Sequence, residues 1–323
     1  MNVVATNTIL SLISLKQGFG PSFFKKNLFS FKNLRTEDVK ENILFFLDIN
    51  RKKVENNLID SAIEHTETMI DDCSKLGIKI LGINDENYPK LLLELKDAPP
   101  TIFYRGDIEL INNVISIIGT RKPNKTGELI AERVGSYFSA KGFAICNGLA
   151  EGIDEFAIRN HKDEYFNNVI GVLGGGLNFQ NNKTLLKNVA KHAEKVLENN
   201  GLLISEVLPN YKEDTYSVIK SCRIQAGLAK CLILIQSSVQ GGSKFAIKSF
   251  AELERTLAVI NPLKQDYDTE SYNSNKLLIE KNIAGLSDMT ELKPEKIKLR
   301  EVVVLRSKDD YVKIEEKIQN NFN

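Results

Sequence analysis

The stretch NVISIIGTRKPNKTG, residues 113–127, is the part of the sequence that most strongly indicates a fold. Its apolar run at 114–118 is typical of a buried parallel strand, which Gly119 ends with a turn. Helical sequence comes next, after a segment with two hydroxyls and three cations: Thr120, Arg121, Lys122, Lys125 and Thr126. Open α/β sheets bind ligands at the carboxyl ends of their strands, where the first amides of a helix favour phosphate. We therefore expect the functional site at this turn.

The composition is typical of a soluble globular protein. The chain has 323 residues, of which 42% are apolar and 26% charged, so it can form one large domain and a smaller one. A net charge of +1 excludes a histone-like polycation but leaves room for a locally basic groove. Residues 1–15 lack the features of a signal peptide, and no stretch approaches the roughly 18 apolar residues of a membrane span. We expect a cytoplasmic protein that does not enter a membrane.

Cysteine and histidine are too scattered to indicate a metal site. The cysteines show no CxxC spacing, and the histidines lie apart in polar, helix-like segments: Cys73, Cys146, Cys222, Cys231, His65, His161 and His192. Free, mostly buried thiols are the expected state in a reducing cytosol. We predict neither a metal nor a cofactor.

Three regions of the chain differ in pattern. Residues 1–78 lack strand alternation and indicate a small helical domain. Within it, two short helices joined by Gly18-Phe19-Gly20-Pro21 are either a helix-hairpin-helix that holds a DNA phosphate or a plain helical turn. Residues 79–290 alternate strands with helices, and residues 291–323 are a charged tail with one apolar run at 302–305.

The alternating region predicts an α/β fold with a doubly wound, mainly parallel sheet. The predicted strands cover 114–118, 144–146, 169–173, 202–205, 231–235 and 257–260. The predicted helices cover 128–140, 153–159, 183–199, 221–229 and 244–254.

Glycine-rich turns follow four of these strands, at 119–121, 147–154, 174–176 and 240–244. In a parallel sheet they meet at one edge, where glycine lets a ligand approach the backbone closely. Such convergence indicates a phosphate-rich ligand. A groove of positive charge for a nucleic-acid backbone would come from Arg121, Lys122, Lys125, Arg223, Lys244 and Lys248.

Motifs for nucleotide chemistry are incomplete. No GxGxxG fingerprint is present, and the run from Gly119 to Lys125-Thr126 is an incomplete phosphate loop, with Asn124 in place of the glycine before lysine. Two carboxylates remain candidates for cleaving an N-glycosidic bond, Asp154 and Glu206. Their structural alternatives are a helix-capping acid and an acid that holds a loop.

These motifs together resemble the DNA-processing protein A family, DprA, also called Smf. The likeness covers about residues 88–290 and rests on motifs in a matching order: Tyr88-Pro89, Pro99-Pro100, Gly119-Thr120-Arg121, Gly127, 148–154, 172–176, 201–206, 223–228, Gly242-Ser243 and 275–284. The resemblance implies an extended Rossmann-like fold, preceded by a helical domain, that binds single-stranded DNA without catalysis. It also implies a homodimer that protects single strands and loads a RecA-type recombinase, in DNA uptake and transformation (competence) or a related defence role.

The resemblance also implies which residues contact DNA. Arg121 corresponds to the arginine of the family's Gly-Ser-Arg turn, and Arg223 to the second arginine of its Arg-Asn-Arg segment. The predicted DNA-binding set is Gly119, Thr120, Arg121, Lys122, Lys125, Gly148, Gly175, Arg223, Gly242, Ser243 and Lys244.

Three positions depart from the family pattern and indicate a remodelled pocket. Ile158 stands where the family has histidine, and Ser221 and Cys222 replace the first two residues of Arg-Asn-Arg. Two other functions therefore stay open. One is a nucleotide-ligand sensor on the same fold, and the other is the N-glycosidic-bond-cleaving enzyme.

Overall fold

A nine-stranded sheet is the centre of the structure, a computed structural model that describes residues 3–322. In chain order the strands are β1 (Lys79–Gly82), β2 (Thr101–Gly106), β3 (Val114–Ile118), β4 (Ala144–Asn147), β5 (Val169–Leu173), β6 (Leu202–Ser205), β7 (Cys231–Leu234), β8 (Thr256–Ile260) and β9 (Glu301–Leu305). Their order across the sheet is β1-β2-β6-β5-β4-β3-β7-β8-β9. The six strands predicted between 114 and 260 are all present; three have the predicted bounds, and β4, β7 and β8 each differ by one residue at one end.

The strands from β6 to β9 across the sheet run parallel, whereas β1 and β2 add an antiparallel edge. The chain winds outward from β3 through β4 and β5 to β6, then returns to β7 on the other side of β3. The gap between β3 and β7 is thus the point where the strand order reverses, and open α/β sheets place their ligands at such points. This arrangement confirms the predicted α/β class with a Rossmann-like, doubly wound and mainly parallel sheet.

Helices precede the sheet and cover both its faces. In chain order they are α1 (Val3–Ser14), α2 (Pro21–Lys26), α3 (Leu28–Lys32), α4 (Val39–Ile49), α5 (Asn56–Lys75), α6 (Lys125–Ala140), α7 (Ile153–Ala157), α8 (Phe179–Asn182), α9 (Lys187–Glu198), α10 (Thr215–Leu228), α11 (Ser243–Ala251), α12 (Asn273–Lys281), α13 (Ile283–Thr290) and α14 (Asp309–Phe322). No helix within residues 3–322 is both long enough and apolar enough to cross a bilayer.

Helices α1 to α5 contribute to a hydrophobic core that continues into the sheet, and within it Phe31 and Phe46 stack with centroids 4.1 Å apart. The connection between α1 and α2 contains Gly18, whose φ of 76° suits glycine. Lys52 donates a hydrogen bond to the Gln17 carbonyl and so holds this connection against the rest of the helical region. The turn between α1 and α2 is thus stabilised by contacts with other residues of the protein.

Two helices begin earlier than the sequence predicts, because a polar side chain caps each of them. Asn124 accepts a hydrogen bond from the Gly127 amide at 2.8 Å, so α6 begins at Lys125 and not at residue 128. Asp214 accepts from the Ser217 amide at 2.7 Å in a capping box, so α10 begins at Thr215 and not at residue 221.

The charged tail that the sequence predicts after residue 290 belongs to the sheet. Strand β9 pairs in parallel with β8, and α14 packs against it through buried Tyr311, Ile314 and Ile318. These three residues recur at helical spacing, while the charged residues of α14 lie mostly on its exposed side. The high charge of this segment therefore marks the solvent face of an amphipathic helix.

Candidate nucleic-acid interface

A cavity of about 740 Å³ opens at the carboxyl ends of β3, β4, β5 and β7. It is lined by residues of the turns after these strands, including Gly119, Gly148, Gly174, Gly241 and Gly242, and by the first three turns of α10. The predicted gathering of the glycine-rich turns at one edge of the sheet is thus confirmed. We call this space the main cavity.

The turn after β3 is held rigidly at the mouth of the main cavity. Gln236, fully buried after β7, accepts the Thr120 amide at 2.8 Å through its backbone and the Asn124 amide at 3.1 Å through its side chain. On the other side, Gly152 has a φ of 81°, and a Cβ there would stand 2.6 Å from the Thr120 carbonyl oxygen. Because neighbours fix the backbone on both sides, the intervening side chains project from a defined position.

Arg121 and Lys122 occupy this turn and separate the main cavity from a second cavity of about 450 Å³. Both side chains are exposed and line both cavities, and neither has a side-chain hydrogen bond or ion pair with the rest of the described chain. We call this pair the Arg121–Lys122 ridge. Two cations that the protein leaves unpaired are available to an anionic ligand.

The second cavity adds a third exposed cation from α9, Lys191. Beside it, His192 is buried and its Nδ1 lies 2.6 Å from the hydroxyl of Tyr165, and burial lowers the pKa of the imidazole. Two of the carboxylates around this cavity are paired within the protein, since Glu128 binds Lys125 and Glu155 binds Arg159. The available charge of the second cavity is therefore mainly positive.

The interior of the main cavity is acidic, in contrast to its rim. Asp154 is 9% exposed and accepts hydrogen bonds from the Gly148 amide at 3.0 Å and the Ala150 amide at 3.4 Å. Burial raises the pKa of its carboxyl to about 7, although the two amides and the charge of Arg121 oppose that shift. Burial likewise raises the pKa of Glu213, which accepts from the Leu186 amide. Hydrogen-bond acceptors thus line the cavity beneath the basic ridge.

Gln225 is the cavity residue that sequence reasoning missed. Its side chain is 6% exposed, lines the main cavity, and makes no hydrogen bond within the described chain. A polar residue between Ile224 and Ala226 in a buried stretch of α10 is the signal that could have found it. Lys191 and Glu213 were not predicted as site residues either, because a single charged residue in a polar segment forms no motif that would distinguish it.

Arg223, which is predicted to contact DNA, does not line the main cavity. Its guanidinium is 5% exposed and forms a bidentate ion pair with Glu206, at 2.6 and 2.7 Å, and its Nε lies 3.0 Å from an Asp97 oxygen. A buried charge needs such partners, and these contacts use most of its donors. Glu206 is held by the same pair, so this carboxylate keeps the loop after β6 in place.

Among the other predicted residues, seven line the main cavity: Gly119, Thr120, Arg121, Lys122, Gly148, Gly242 and Ser243. Three do not. Lys125 pairs with Glu128 at 2.9 Å, Gly175 packs against the backbone of Thr184, and Lys244 lies 5.5 Å from the ring of Phe245 beside the cavity wall.

The three positions that depart from the family pattern lie in different surroundings. Ser221 and Cys222 line the main cavity and donate to the Val218 carbonyl at 2.8 and 3.4 Å, respectively. Burial raises the pKa of Cys222 to about 12, so its thiol is neutral near pH 7. Ile158 is fully buried in the apolar core. Within residues 3–322, no three histidine, cysteine or acidic side chains are grouped as a metal site would need.

Comparison with known proteins identifies relatives of one kind. The family model for DNA recombination-mediator protein A matches residues 79–295. DNA processing protein DprA of Bacillus subtilis is 28% identical over 227 residues, which cover 68% of this chain and 73% of that protein. Protein Smf of Escherichia coli is 28% identical over 203 residues, which cover 61% of this chain but only 49% of that protein.

Two solved structures share the fold. DNA processing protein A from Streptococcus pneumoniae superposes with a TM-score of 0.64 at 20% identity, covering 93% of this chain and 95% of that one. DNA processing protein A from Helicobacter pylori, whose structure is described as showing its single-stranded DNA binding mode, superposes with a TM-score of 0.53 at 24% identity. That match covers 64% of this chain and 88% of the Helicobacter chain.

Proposed function

This chain belongs to the DNA recombination-mediator protein A family, and on that premise we propose that it binds single-stranded DNA across the Arg121–Lys122 ridge. The observation that carries the proposal is the pair of exposed, unpaired cations between two cavities at the carboxyl edge of the sheet. Phosphates of a strand crossing the ridge would meet Arg121 and Lys122, with Lys191 continuing the basic path. Such contacts bind any sequence, because every nucleotide carries the same phosphate.

The proposed contacts in the main cavity are those predicted residues that line it. Gly119, Thr120, Gly148, Gly242 and Ser243 surround the space next to the ridge. A Cβ on Gly242 would meet no atom within 4 Å, so this turn has open space into which a strand fits. Lys244, beside the same turn, remains a proposed outer contact.

We also propose a more specific role for this chain, that of a recombination mediator. The family description names recombination mediation, and the Helicobacter relative is described as binding single strands. We propose that this chain protects single-stranded DNA, loads a RecA-type recombinase and acts as a homodimer, in DNA uptake or a related defence role. We propose no catalytic step: Lys125 and Glu206 are held in ion pairs with other residues, and Asp154 accepts the Gly148 and Ala150 amides and so holds the turn before α7.

A nucleotide-ligand sensor is the second candidate, and one observation favours it. The main cavity holds the buried carboxyl of Asp154 and the half-buried one of Glu213, and a small ligand would suit such an acidic space better than a polyanion would. The basic ridge favours the strand, because it continues past the main cavity into the second one.

A binding experiment separates the two candidates. A fluorescent mixed-sequence oligonucleotide is titrated with the full chain at two salt concentrations, beside a thermal-shift screen of nucleoside mono-, di- and triphosphates. We expect the oligonucleotide to bind with an affinity that falls steeply as salt rises. Absence of oligonucleotide binding, together with a nucleotide that raises Tm, would overturn the proposal in favour of the sensor.

A further inference from the structure

Two exposed tyrosines lie on the surface next to the main cavity. Tyr216, in the first turn of α10, is 70% exposed, and Tyr211, in the loop before that helix, is 38% exposed. The residues between them in the sequence include Glu213, Asp214 and Thr215, which line the main cavity. Both tyrosines therefore stand beside a cavity that the ridge also lines. We call this pair the Tyr211–Tyr216 shelf.

Hydrogen bonds hold the segment that carries the shelf. The Tyr211 carbonyl accepts the Gly176 amide at 2.9 Å, and the Tyr211 hydroxyl donates to Asp214 at 2.7 Å. Asp214 also caps α10 by accepting the Ser217 amide at 2.7 Å, so Tyr216 extends from a fixed helical turn. Because the backbone around both tyrosines is fixed before a ligand arrives, binding costs less ordering of the protein.

The groups that this segment leaves available suit a single strand. Glu213 accepts the Leu186 amide and Asp214 caps α10, so both acids have partners within the protein. Lys212 is exposed and has no ion pair within the described chain, and neither ring of the shelf packs on another ring or on a cation there. The segment thus offers one cation and the faces of two aromatic rings. Proteins that bind single strands combine these groups, because bases stack on rings while cations meet phosphates.

We propose that bases of the single strand stack on the Tyr211–Tyr216 shelf, which extends the DNA interface from the ridge onto the surface beside the main cavity. This inference rests on the proposed function, since the ridge must hold the strand. Phosphate contacts at the ridge leave the faces of neighbouring bases uncovered, and the cavity wall joins the two sites, because Arg121 and Thr215 both line it. Stacking accepts every base, since each has a flat π-face. The shelf therefore adds affinity without selecting a sequence.

Three substitutions of Tyr216 test the inference with a labelled mixed-sequence oligonucleotide in fluorescence anisotropy. Tyr216→Ala should weaken binding about tenfold, within the range for the loss of one base–aromatic stack. Tyr216→Phe keeps the ring and should bind as the parent chain does. Tyr216→Leu should resemble the alanine variant, because its side chain is apolar but has no flat face. The slope of log affinity against log salt should stay unchanged in all three, since no phosphate contact is lost. Adding Tyr211→Ala to Tyr216→Ala should weaken binding further by a similar factor.

Phe29→Ala is the matched control, because it removes an exposed ring from α3, in the helical region before the sheet, and should leave affinity unchanged. Intrinsic fluorescence is the second readout, since the chain has nine tyrosines and no tryptophan. A saturating oligonucleotide should quench the tyrosine emission of the parent chain more than that of Tyr216→Phe, although both bind equally. An oligonucleotide with abasic sites should bind the parent chain more weakly and quench less. Circular dichroism checks that each variant is folded.

The outcomes separate this inference from the proposed function. Parent affinity in folded Tyr216→Ala, with a normal salt dependence, overturns the shelf and leaves strand binding at the ridge in place. Parent affinity in Tyr216→Leu, or equal binding of ordinary and abasic oligonucleotides, overturns stacking as the contact. An equal loss in Phe29→Ala overturns the assignment to these two tyrosines. Failure of every oligonucleotide to bind the parent chain overturns the proposed function itself.

Discussion

Replacing Arg121 with alanine tests the proposed ridge directly. The guanidinium is exposed and has no hydrogen bond or ion pair within the described chain, so its loss removes no contact that stabilises the fold. Surface substitutions of this kind usually change the free energy of unfolding by less than about 0.5 kcal/mol. Any larger effect on DNA binding is therefore an effect on the interface.

The expected size of the effect follows from one lost phosphate contact. A hydrogen bond to a charged group contributes about 1.5 kcal/mol, which is roughly tenfold in affinity. Each phosphate contact on a single strand also contributes about 0.7 to the slope of log affinity against log salt. Arg121→Ala should thus weaken binding about tenfold at low salt and flatten that slope by about 0.7, and Arg121→Ala/Lys122→Ala should flatten it by about twice as much.

Fluorescence anisotropy with a labelled single strand, at several salt concentrations between about 50 and 200 mM, measures both quantities. Arg133→Ala is the matched control, because Arg133 is an exposed arginine on α6 that lines neither cavity. Both variants lose one positive charge, so an effect of net charge alone would appear equally in each. Unchanged affinity and an unchanged slope for Arg121→Ala would refute the ridge as the phosphate site.

Three further predictions concern buried and paired charges. The folded-state pKa of Asp154, about 7, exceeds the ordinary 3.8, so the stability linked to its proton is fully present below pH 3.8 and is lost as pH rises through 7. Urea unfolding across this window should show a loss on the order of 4 kcal/mol that Asp154→Asn removes. Arg223→Leu should cost up to about 3–5 kcal/mol by leaving buried Glu206 with Lys220, 3.3 Å away, as its remaining ion-pair partner, and the salt slope for DNA should be unchanged; a normal urea midpoint would contradict this. We expect no ATP turnover from the parent chain or from Lys125→Ala, because Lys125 pairs with Glu128; measurable turnover in the parent chain that Lys125→Ala abolishes would contradict this.

Strands β3 to β8 could be predicted from the sequence because all of their residues are buried. Strands β3 and β5, for example, are largely apolar runs bounded by glycine or polar residues, which is a local signal. The meeting of the glycine-rich turns could also be predicted, because parallel strands have their carboxyl ends at the same edge of a sheet. The first residues of the helices were predicted less well. A capping side chain determines where a helix begins, and several polar residues near each start could be that cap.

The role of Arg223 could not be predicted, because its partner is not local. Glu206 follows β6 and Arg223 lies in α10, and only the packing of α10 under the sheet edge brings the two charges within 2.6 Å. A sequence pattern shows that a cation is present but not whether water, a carboxylate or a phosphate will be its partner. Gln225 presents the same difficulty, since the sequence does not show whether a polar side chain of a helix faces a cavity, the core or solvent.

The separation of charge between rim and interior explains how a chain of net charge +1 can suit a polyanion. Many lysines and arginines of this protein are paired or lie far from the cavities, so they add little to the field there. Arg121 and Lys122 differ because a rigid turn holds them unpaired at the edge of the sheet. The Asp154 carboxyl below them is partly neutralised near pH 7, since burial moves its pKa to about 7, and burial also raises the pKa of Glu213. Affinity for phosphate is therefore proposed for two residues at the rim, and substitution can change them without altering the carboxyls below.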